Sequence, residues 1–354
     1  MKISTVKDER EKRVAITPET TKKYVSLGFE VIIPKSIGDS AGFSCEEYVA
    51  AGATIHKKKS IPDADLYLCV KPSLKEELKL PSGSYLVAML TPPRNQKVLE
   101  QMIKNGINLC ALEKIPRISR AQSMDVLSSQ ANVAGYRAVL EALVEYRRVV
   151  PLLMTAAGTI RPAKVLVLGA GIAGLQAIAT AKRLGAVVHA FDVRAAAKEQ
   201  VESLGASFIE VEEQCDGETT GGYAREMDEN YQKRQAEKLL QVIRKMDIVI
   251  TTAQIPGKPA PKLIIKDMVD AMPAGAVIVD MSTETGGNCE LSEEDKVIKV
   301  GEVSIIGYSD LAARVAQDAS QLFARNVFNF VSLMIKGGKI DISDEIVKST
   351  LVEI

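Results

Sequence analysis

The chain has 354 residues, 46% of them hydrophobic and 25% charged, with 45 basic side chains set against 45 acidic ones. That length exceeds one ordinary core and implies two domains, while a zero balance without a Lys/Arg block argues against a nucleic-acid binder or a polybasic membrane tether. Cys45, Cys69, Cys110, Cys215 and Cys289 are scattered without a C-x-x-C pair, which suits reduced thiols in a cytoplasm and argues against a disulfide framework or a structural zinc site.

The N-terminus, Met1 to Arg10, is charged and lacks the apolar stretch of a signal peptide, so export is not expected. Thr17, Pro18 and Glu19 supply the cap, first-turn proline and first-turn acid of a helix that Gly28 closes. Apolar runs at 29–33, 65–70, 84–90 and 107–112 read as buried parallel strands of a first α/β domain. Residues 129–146 carry apolar positions at helical spacing without proline, which predicts one long helix linking the domains, with a break at Pro151.

From Lys164 the rhythm repeats as strand, helix, strand. A helix runs to Leu184, a strand to Phe191, a helix over 195–204 and a strand near 208–211, with further strands at 247–251 and 276–280. A last helix over 311–330 is long enough to return to the first domain. The fold class expected is α/β, with two Rossmann-like doubly wound parallel-sheet domains joined by long helices: residues 1–127 plus 311–354, and residues 128–310. The longest uncharged run, 165–181, is interrupted by Gly169, Gly171, Gly174 and Gln176, and reads as strand, turn and helix instead of a membrane span. Residues 212–230 are polar, long for an α/β connection, and contain Gly217, Gly221 and Gly222; a lid or binding loop and a plain solvated loop both remain open.

The strongest chemical signal is Lys164-Val-Leu-Val-Leu-Gly-Ala-Gly-Ile-Ala-Gly174, which runs on to Asp192. A short buried strand, three glycines at G-x-G-x-x-G spacing, a helix and an acid about 20 residues on are what a dinucleotide demands. Gly169 permits the tight turn, Gly171 lets backbone approach a pyrophosphate, and Gly174 lets helix and strand pack closely. Asp192 is placed to accept from the adenosine ribose and to repel a 2′-phosphate, which favours NAD(H); Arg194, two residues on, leaves NADP(H) open.

Between Arg117 and Ser128, polar Ser119, Gln122, Asp125 and Ser128 recur every third residue, so they share one side of a turn or short helix. Two readings stand: a solvated helix start, or a strip recognising a carboxamide. Arg10, Arg13 and Lys71 put cations near strand ends, as surface charge or as holders of a carboxylate. His56 and His189 are the only histidines, and both read as structural, which limits acid–base chemistry. Glu284, after the strand that ends at Asp280, is either a site carboxylate or a turn residue.

Together, Arg13-Val-Ala-Ile-Thr-Pro18, the run from Arg117 to Asp125, the glycine turn with its helix, Gly221-Gly-Tyr-Ala-Arg-Glu-Met227, Thr251-Thr-Ala-Gln-Ile-Pro256 and Glu284-Thr-Gly-Gly-Asn-Cys289 resemble the NAD(H)-binding component of proton-translocating nicotinamide nucleotide transhydrogenase, itself related to alanine dehydrogenase. The resemblance covers nearly the whole chain. It implies that Arg117, Gln122 and Asp125 lie over the nicotinamide with Ser128 beside the carboxamide, in a cofactor-contacting run that includes Ile118, Ser119 and Arg120. It puts the adenosine ribose at Asp192, Val193 and Arg194, with Ile172 in the glycine turn, and gives Gln235 and Gln254 as further NAD contacts. A mobile loop falls on Gly222, Tyr223 and Met227, with Tyr223 closing the site.

By the same resemblance the activity is Re/Si-specific hydride transfer between NAD(H) here and NADP(H) on a partner domain, coupled to proton translocation by a membrane-spanning subunit. The component is a homodimer, cytoplasmic and peripheral at the inner face of the membrane through its partners. The histidine that alanine dehydrogenase carries after the strand matching 84–92 is missing here. Ring-to-ring hydride transfer needs no proton donor at the reacting carbons. Arg13, Lys71 and the shared fold keep an alanine dehydrogenase-type amino-acid dehydrogenase as the alternative, and a non-catalytic NAD(H) sensor as a third reading.

Overall fold

A computed structural model of the chain describes residues 1–353 except 7, 9, 75–77, 212–227 and 256–257. It divides into two units, Met1–Gln130 with Ala312–Ile354, and Ala131–Leu311. The first unit opens with β1 (Lys2–Ser4), α1 (Pro18–Ser26), β2 (Glu30–Pro34), α2 (Cys45–Ala50), β3 (Thr54–His56), β4 (Leu66–Leu68), β5 (Tyr85–Ala88), α3 (Pro92–Lys104) and β6 (Asn108–Ala111). The unit boundary falls inside α4 (Val126–Glu145). Among the described residues its sheet has six strands, all parallel, in the order β3-β2-β1-β4-β5-β6, a doubly wound arrangement. The start of α1 follows the local signal: Thr17 and Thr20 exchange side-chain and backbone hydrogen bonds around Pro18, and Gly28 takes φ +84° after the last turn. Three-residue β1 is not expected from the sequence, because it is too short to show a period, yet it lies mid-sheet with Ile3 fully buried.

The second unit begins with an antiparallel hairpin, β7 (Leu153–Thr155) and β8 (Gly158–Ile160). The sequence signals only a break there. Then come β9 (Lys164–Leu168), α5 (Ile172–Arg183), β10 (Val187–Phe191), α6 (Ala197–Ser203), β11 (Ser207–Phe208), α7 (Glu229–Ile243), β12 (Ile248–Thr251), α8 (Lys266–Asp270), β13 (Val277–Asp280), β14 (Val297–Val300) and β15 (Val303–Ile306). The sheet order is β11-β10-β9-β12-β13-β15-β14, parallel except for antiparallel β14 at its edge. The sheet therefore extends past the strand expected at 276–280, by two strands that the sequence does not announce; edge strand β14 alternates exposed and half-buried residues, so it lacks the apolar run of a buried strand. The connection expected over 212–230 ends earlier, since Asp228 caps α7 by accepting from the Tyr231 N–H.

After Leu311 the chain is again part of the first unit, through α9 (Ala316–Met334), the small hairpin β16 (Ile335–Lys336) and β17 (Lys339–Ile340), and α10 (Glu345–Thr350). Phe323, Val327, Phe330, Val331 and Met334 on one face of α9 join Ile3, Val31, Leu66 and Leu68 in a single core. Burying side chains of this size is worth about 1.5–3 kcal/mol each, so α9 belongs to the first unit's core as fully as the strands do.

Candidate functional site

In the second unit the glycine turn sits where the strand order reverses, between β9 and β12, the place at which doubly wound sheets bind ligands. Gly169 takes φ +99°, donates its N–H to Phe191 O at 2.8 Å and accepts from Thr252 Oγ1 at 2.9 Å, so the turn is tied to both neighbouring strands. A β-carbon on Gly174 would stand 1.8 Å from Gly169 O, which leaves glycine as the fitting residue. Gly171 is different: its φ is −75°, and a β-carbon there would meet nothing within 4 Å. Neither strain nor packing within the protein requires that glycine. The space it keeps clear lies at the start of the twelve-residue α5, where outward N–H groups and the helix dipole suit an anion. Residues and geometry therefore fit a dinucleotide pyrophosphate.

Asp192 follows β10 and is 5% exposed. Its Oδ2 accepts from Ala170 N–H at 2.7 Å and Arg194 Nη2 at 2.8 Å, and its Oδ1 accepts from Arg194 N and Nε, both at 2.9 Å. The carboxylate is thus joined to the glycine turn itself. Ile172 is 39% exposed at the turn, and half-buried Val193 packs on the core beneath. Gln235 is buried on α7 and Gln254 is exposed after β12. Gly217, Gly221, Gly222, Tyr223 and Met227 lie outside the described residues.

In the first unit the polar strip forms a 3-10 helix, Ser119–Met124. Three residues per turn put Ser119 and Gln122 on the exposed side and Ala121 and Met124 in the core. Arg117 and Ile118 are exposed just before it. The Arg120 guanidinium bonds Asp344 and Glu345 of the returning segment at 2.7–3.0 Å. Asn326 and Asn329 of α9 both donate to Ser123 O. Asp125 accepts from the Ser128 N–H at 2.9 Å and from its hydroxyl, so these two residues cap α4 as one polar pair. The strip is therefore held from below while Gln122 faces outward.

The Arg13 guanidinium is buried against Glu11, with Nε–Oε1 and Nη2–Oε2 both 2.9 Å, and donates Nη1 to Gln130 Oε1 at 2.8 Å. With Lys71, Thr5 and Cys69 it lines a small cavity, but a carboxylate from the chain already sits on it. His56 Nε2 lies 3.0 Å from Ser60 O, and burial followed by Lys164 lowers the pKa of His189 inside β10. Burial pushes the Cys69 and Cys289 thiols up to about 11 and Cys110 to about 12, away from thiolate chemistry. Among the described residues no group of three His, Cys, Asp or Glu side chains is placed to hold a metal, and no helix is long and apolar enough to cross a membrane.

One network is not foreshadowed by the sequence. Fully buried Asp280, at the end of β13, accepts from Thr251 Oγ1, Ser282 N, Cys289 N and Ser292 Oγ at 2.7–3.1 Å. Asn288 beside it donates to Ala253 O and Pro261 O, tying down the segment that carries Gln254. Glu284, read from the sequence as a site carboxylate or a turn residue, is a half-buried residue of the 3-10 turn Thr283–Thr285.

Models of the N-terminal and C-terminal domains of alanine dehydrogenase/PNT match residues 5–134 and 138–353. The chain belongs to the alanine dehydrogenase/PNT family. Within that family it is 51% identical over 344 residues, 94% of this chain and 90% of the relative, to the first portion of the NAD(P) transhydrogenase alpha subunit of Rhodospirillum rubrum. An alanine dehydrogenase from Halomonas elongata is 28% identical over 98% of this chain and 91% of its own length. The crystal structure of a transhydrogenase from Sinorhizobium meliloti superposes with a TM-score of 0.90 at 46% identity, covering 99% of this chain and 98% of that one. Within the family, similarity to the transhydrogenase subunits far exceeds similarity to alanine dehydrogenase.

Proposed function

We propose that this chain is the NAD(H)-binding subunit of a proton-translocating, Re/Si-specific NAD(P) transhydrogenase. It exchanges hydride with NADP(H) held by a partner polypeptide, while a membrane-spanning subunit moves the protons. The observation that carries the reading is the glycine turn joined to Asp192, in a chain that matches an NAD(P) transhydrogenase subunit over 94% of its length. When bound, the dinucleotide supplies the hydride, and the chain's own work is to hold and orient. The cleared space at Gly171 and the N-terminus of α5 receive the pyrophosphate. Asp192 accepts the adenosine ribose, with Ile172 and Val193 as its apolar neighbours. Arg117, Gln122 and the Asp125–Ser128 pair orient the carboxamide, with Ile118, Ser119 and Arg120 shaping that run, and Gln235 and Gln254 add contacts.

The two histidines fit this division of labour, since one lies within β10 and the other is bonded to Ser60 O. Transfer between two apposed rings asks for position and the exclusion of water, without a proton donor. A homodimer is part of the proposal. All six strand residues of the β7–β8 hairpin are exposed, Leu153 by 39%, Met154 by 77% and Ile160 by 41%. A second copy covers apolar surface that an isolated two-stranded ribbon exposes to water. The subunit then works at the inner face of the cell membrane through its partners.

Mixing the purified chain with an NADP(H)-binding transhydrogenase domain and following reduction of an NAD⁺ analogue by NADPH tests the reading. Turnover is expected only in the mixture. Oxidation of NADH by pyruvate and ammonia with this chain alone would instead make it an alanine dehydrogenase.

A further inference from the structure

We propose that Asn326 on α9 is a positioning residue for hydride transfer, because its amide ties the end of the 3-10 strip Ser119–Met124 to the first turn of α4. The inference rests on the NAD(H) reading above, which puts the carboxamide-orienting groups on that strip. Asn326 Nδ2 donates to Ser123 O at 2.8 Å, and Ser129 Oγ donates to Asn326 Oδ1 at 2.6 Å. A peptide carbonyl only accepts, so the nitrogen end of the amide must face Ser123, which leaves the oxygen end for the hydroxyl. Both ends of one side chain are thus committed, one on each side of Asp125. Asn329, about one turn further along α9, donates to the same Ser123 carbonyl at 3.0 Å.

The strip needs such ties. Runs of 3-10 helix are short because their hydrogen bonds are poorly aligned, and this one buries only Ala121 and Met124. The last carbonyls of a helix have no partner within it, and Ser123 O, one residue from the strip's end, receives two side-chain amides instead. Between the tied points lies the elbow at Asp125, which takes extended dihedrals and then accepts from the Ser128 N–H and hydroxyl. Asn326 therefore sets the separation of Ser123 from Ser129, and with it where Gln122, Asp125 and Ser128 stand. Its base is firm, since Phe323, Val327 and Phe330 on the buried side of α9 sit in the first unit's core. Asn326 acts through the three residues it places, without touching the cofactor. Ring-to-ring transfer depends steeply on geometry, a misplacement of about 1 Å costing about a hundredfold in rate, while affinity is spread over the whole dinucleotide and feels the same shift far less.

Two measurements on the full chain test this: NADH titration, and single-turnover hydride transfer in a mixture with an NADP(H)-binding transhydrogenase domain. Asn326→Leu removes both bonds. Asn326→Asp keeps an acceptor for Ser129 but sets an oxygen against the Ser123 carbonyl, and Ser129→Ala removes the hydroxyl half alone. The two Asn326 variants are expected to slow transfer by about tenfold to a hundredfold while the NADH dissociation constant moves by less than about threefold. Ser129→Ala should slow it less, and adding it to Asn326→Leu should cost little more, as for partners in one interaction. Val327→Ala, in the core beside Asn326, is the comparison: it should lower the denaturation midpoint and leave the transfer rate as in wild type. Unchanged transfer in both Asn326 variants, affinity lost in step with rate, or the same slowing in Val327→Ala would overturn the proposal. If Asn326→Leu fails to fold, Asn326→Asp and Ser129→Ala decide the matter. If wild type exchanges no hydride with the partner domain, the transhydrogenase reading fails and the positioning role falls with it.

Discussion

Gly135 on α4 and Ala173 in the first turn of α5 are in backbone contact: a β-carbon on Gly135 would stand 2.1 Å from the Ala173 carbonyl oxygen. The dinucleotide helix is therefore wedged by a glycine on a different helix, far away in sequence. Gly135→Ala must push α5 away from its place, at a cost of about 1–3 kcal/mol by analogy with overpacked cores. Chemical denaturation should show that loss, and NADH titration should show weaker binding. A variant with wild-type stability and wild-type affinity would mean that α5 is free to move.

Gln122 is the exposed amide of the 3-10 strip. Gln122→Asn shortens its reach by one methylene without changing its chemistry. Hydride transfer in single-turnover measurements is expected to slow by about a factor of ten or more, while the dissociation constant for NADH moves far less. Equal losses in rate and affinity would remove Gln122 from the orienting set.

Asp280 has no exposed surface and satisfies four donors. Asp280→Ala strands them, with an expected loss of about 3 kcal/mol or more in unfolding free energy. A denaturation midpoint close to wild type would show that the loop from Ser282 to Ser292 re-forms without its anchor.

Glu19 on α1 bonds Arg325 on α9 and Lys23, and these two cations, Arg325 first, pull its carboxyl down from 4.5 to about 2. A lowered carboxylate pKa contributes stability above the unfolded value and loses it as pH falls through the folded one. Glu19→Gln should therefore cost stability at neutral pH, and the gap to wild type should close between about pH 4.5 and pH 2. The side chain is 42% exposed, so screening holds the gap at neutral pH to about 0.5 kcal/mol. A gap that widens on acidification would contradict the assignment.

Met154, 77% exposed at the hairpin, is the most direct probe of self-association. Met154→Asp puts a charge where a second copy is expected to cover the ribbon. Sedimentation at micromolar concentration should show a dimer for wild type and a monomer for the variant. A dimer unaffected by this change is assembled through another face.

What could be read from the chain divides along physical lines. The glycine turn was legible because φ, close packing and phosphate access act on residues near one another in sequence, so Gly169, Gly171, Gly174 and Asp192 declare themselves. The cap at Thr17 and the apolar runs of β4, β5 and β6 were legible for the same local reason. The partners that side chains choose were not. Nothing in the spacing of Asp192 and Arg194 says whether the cation faces its neighbour or a ligand, and the structure puts it on its neighbour. Arg13 reads as available for a carboxylate, yet Glu11 already occupies it. Asp280 reads as one more strand-end residue, because the four donors that give it a purpose come from separate stretches of chain.

The first unit is interrupted, since residues 131–311 intervene between its two stretches and its core needs Phe323, Val327, Phe330, Ile346 and Val347. On the ribosome, the nucleotide-binding unit can therefore finish folding while its neighbour still lacks part of its interior. For that time the strands from β1 to β6 expose the apolar side chains that α9 later covers. Synthesis from the N-terminus thus leaves the interior of the first unit incomplete until residues 312–354 have been made.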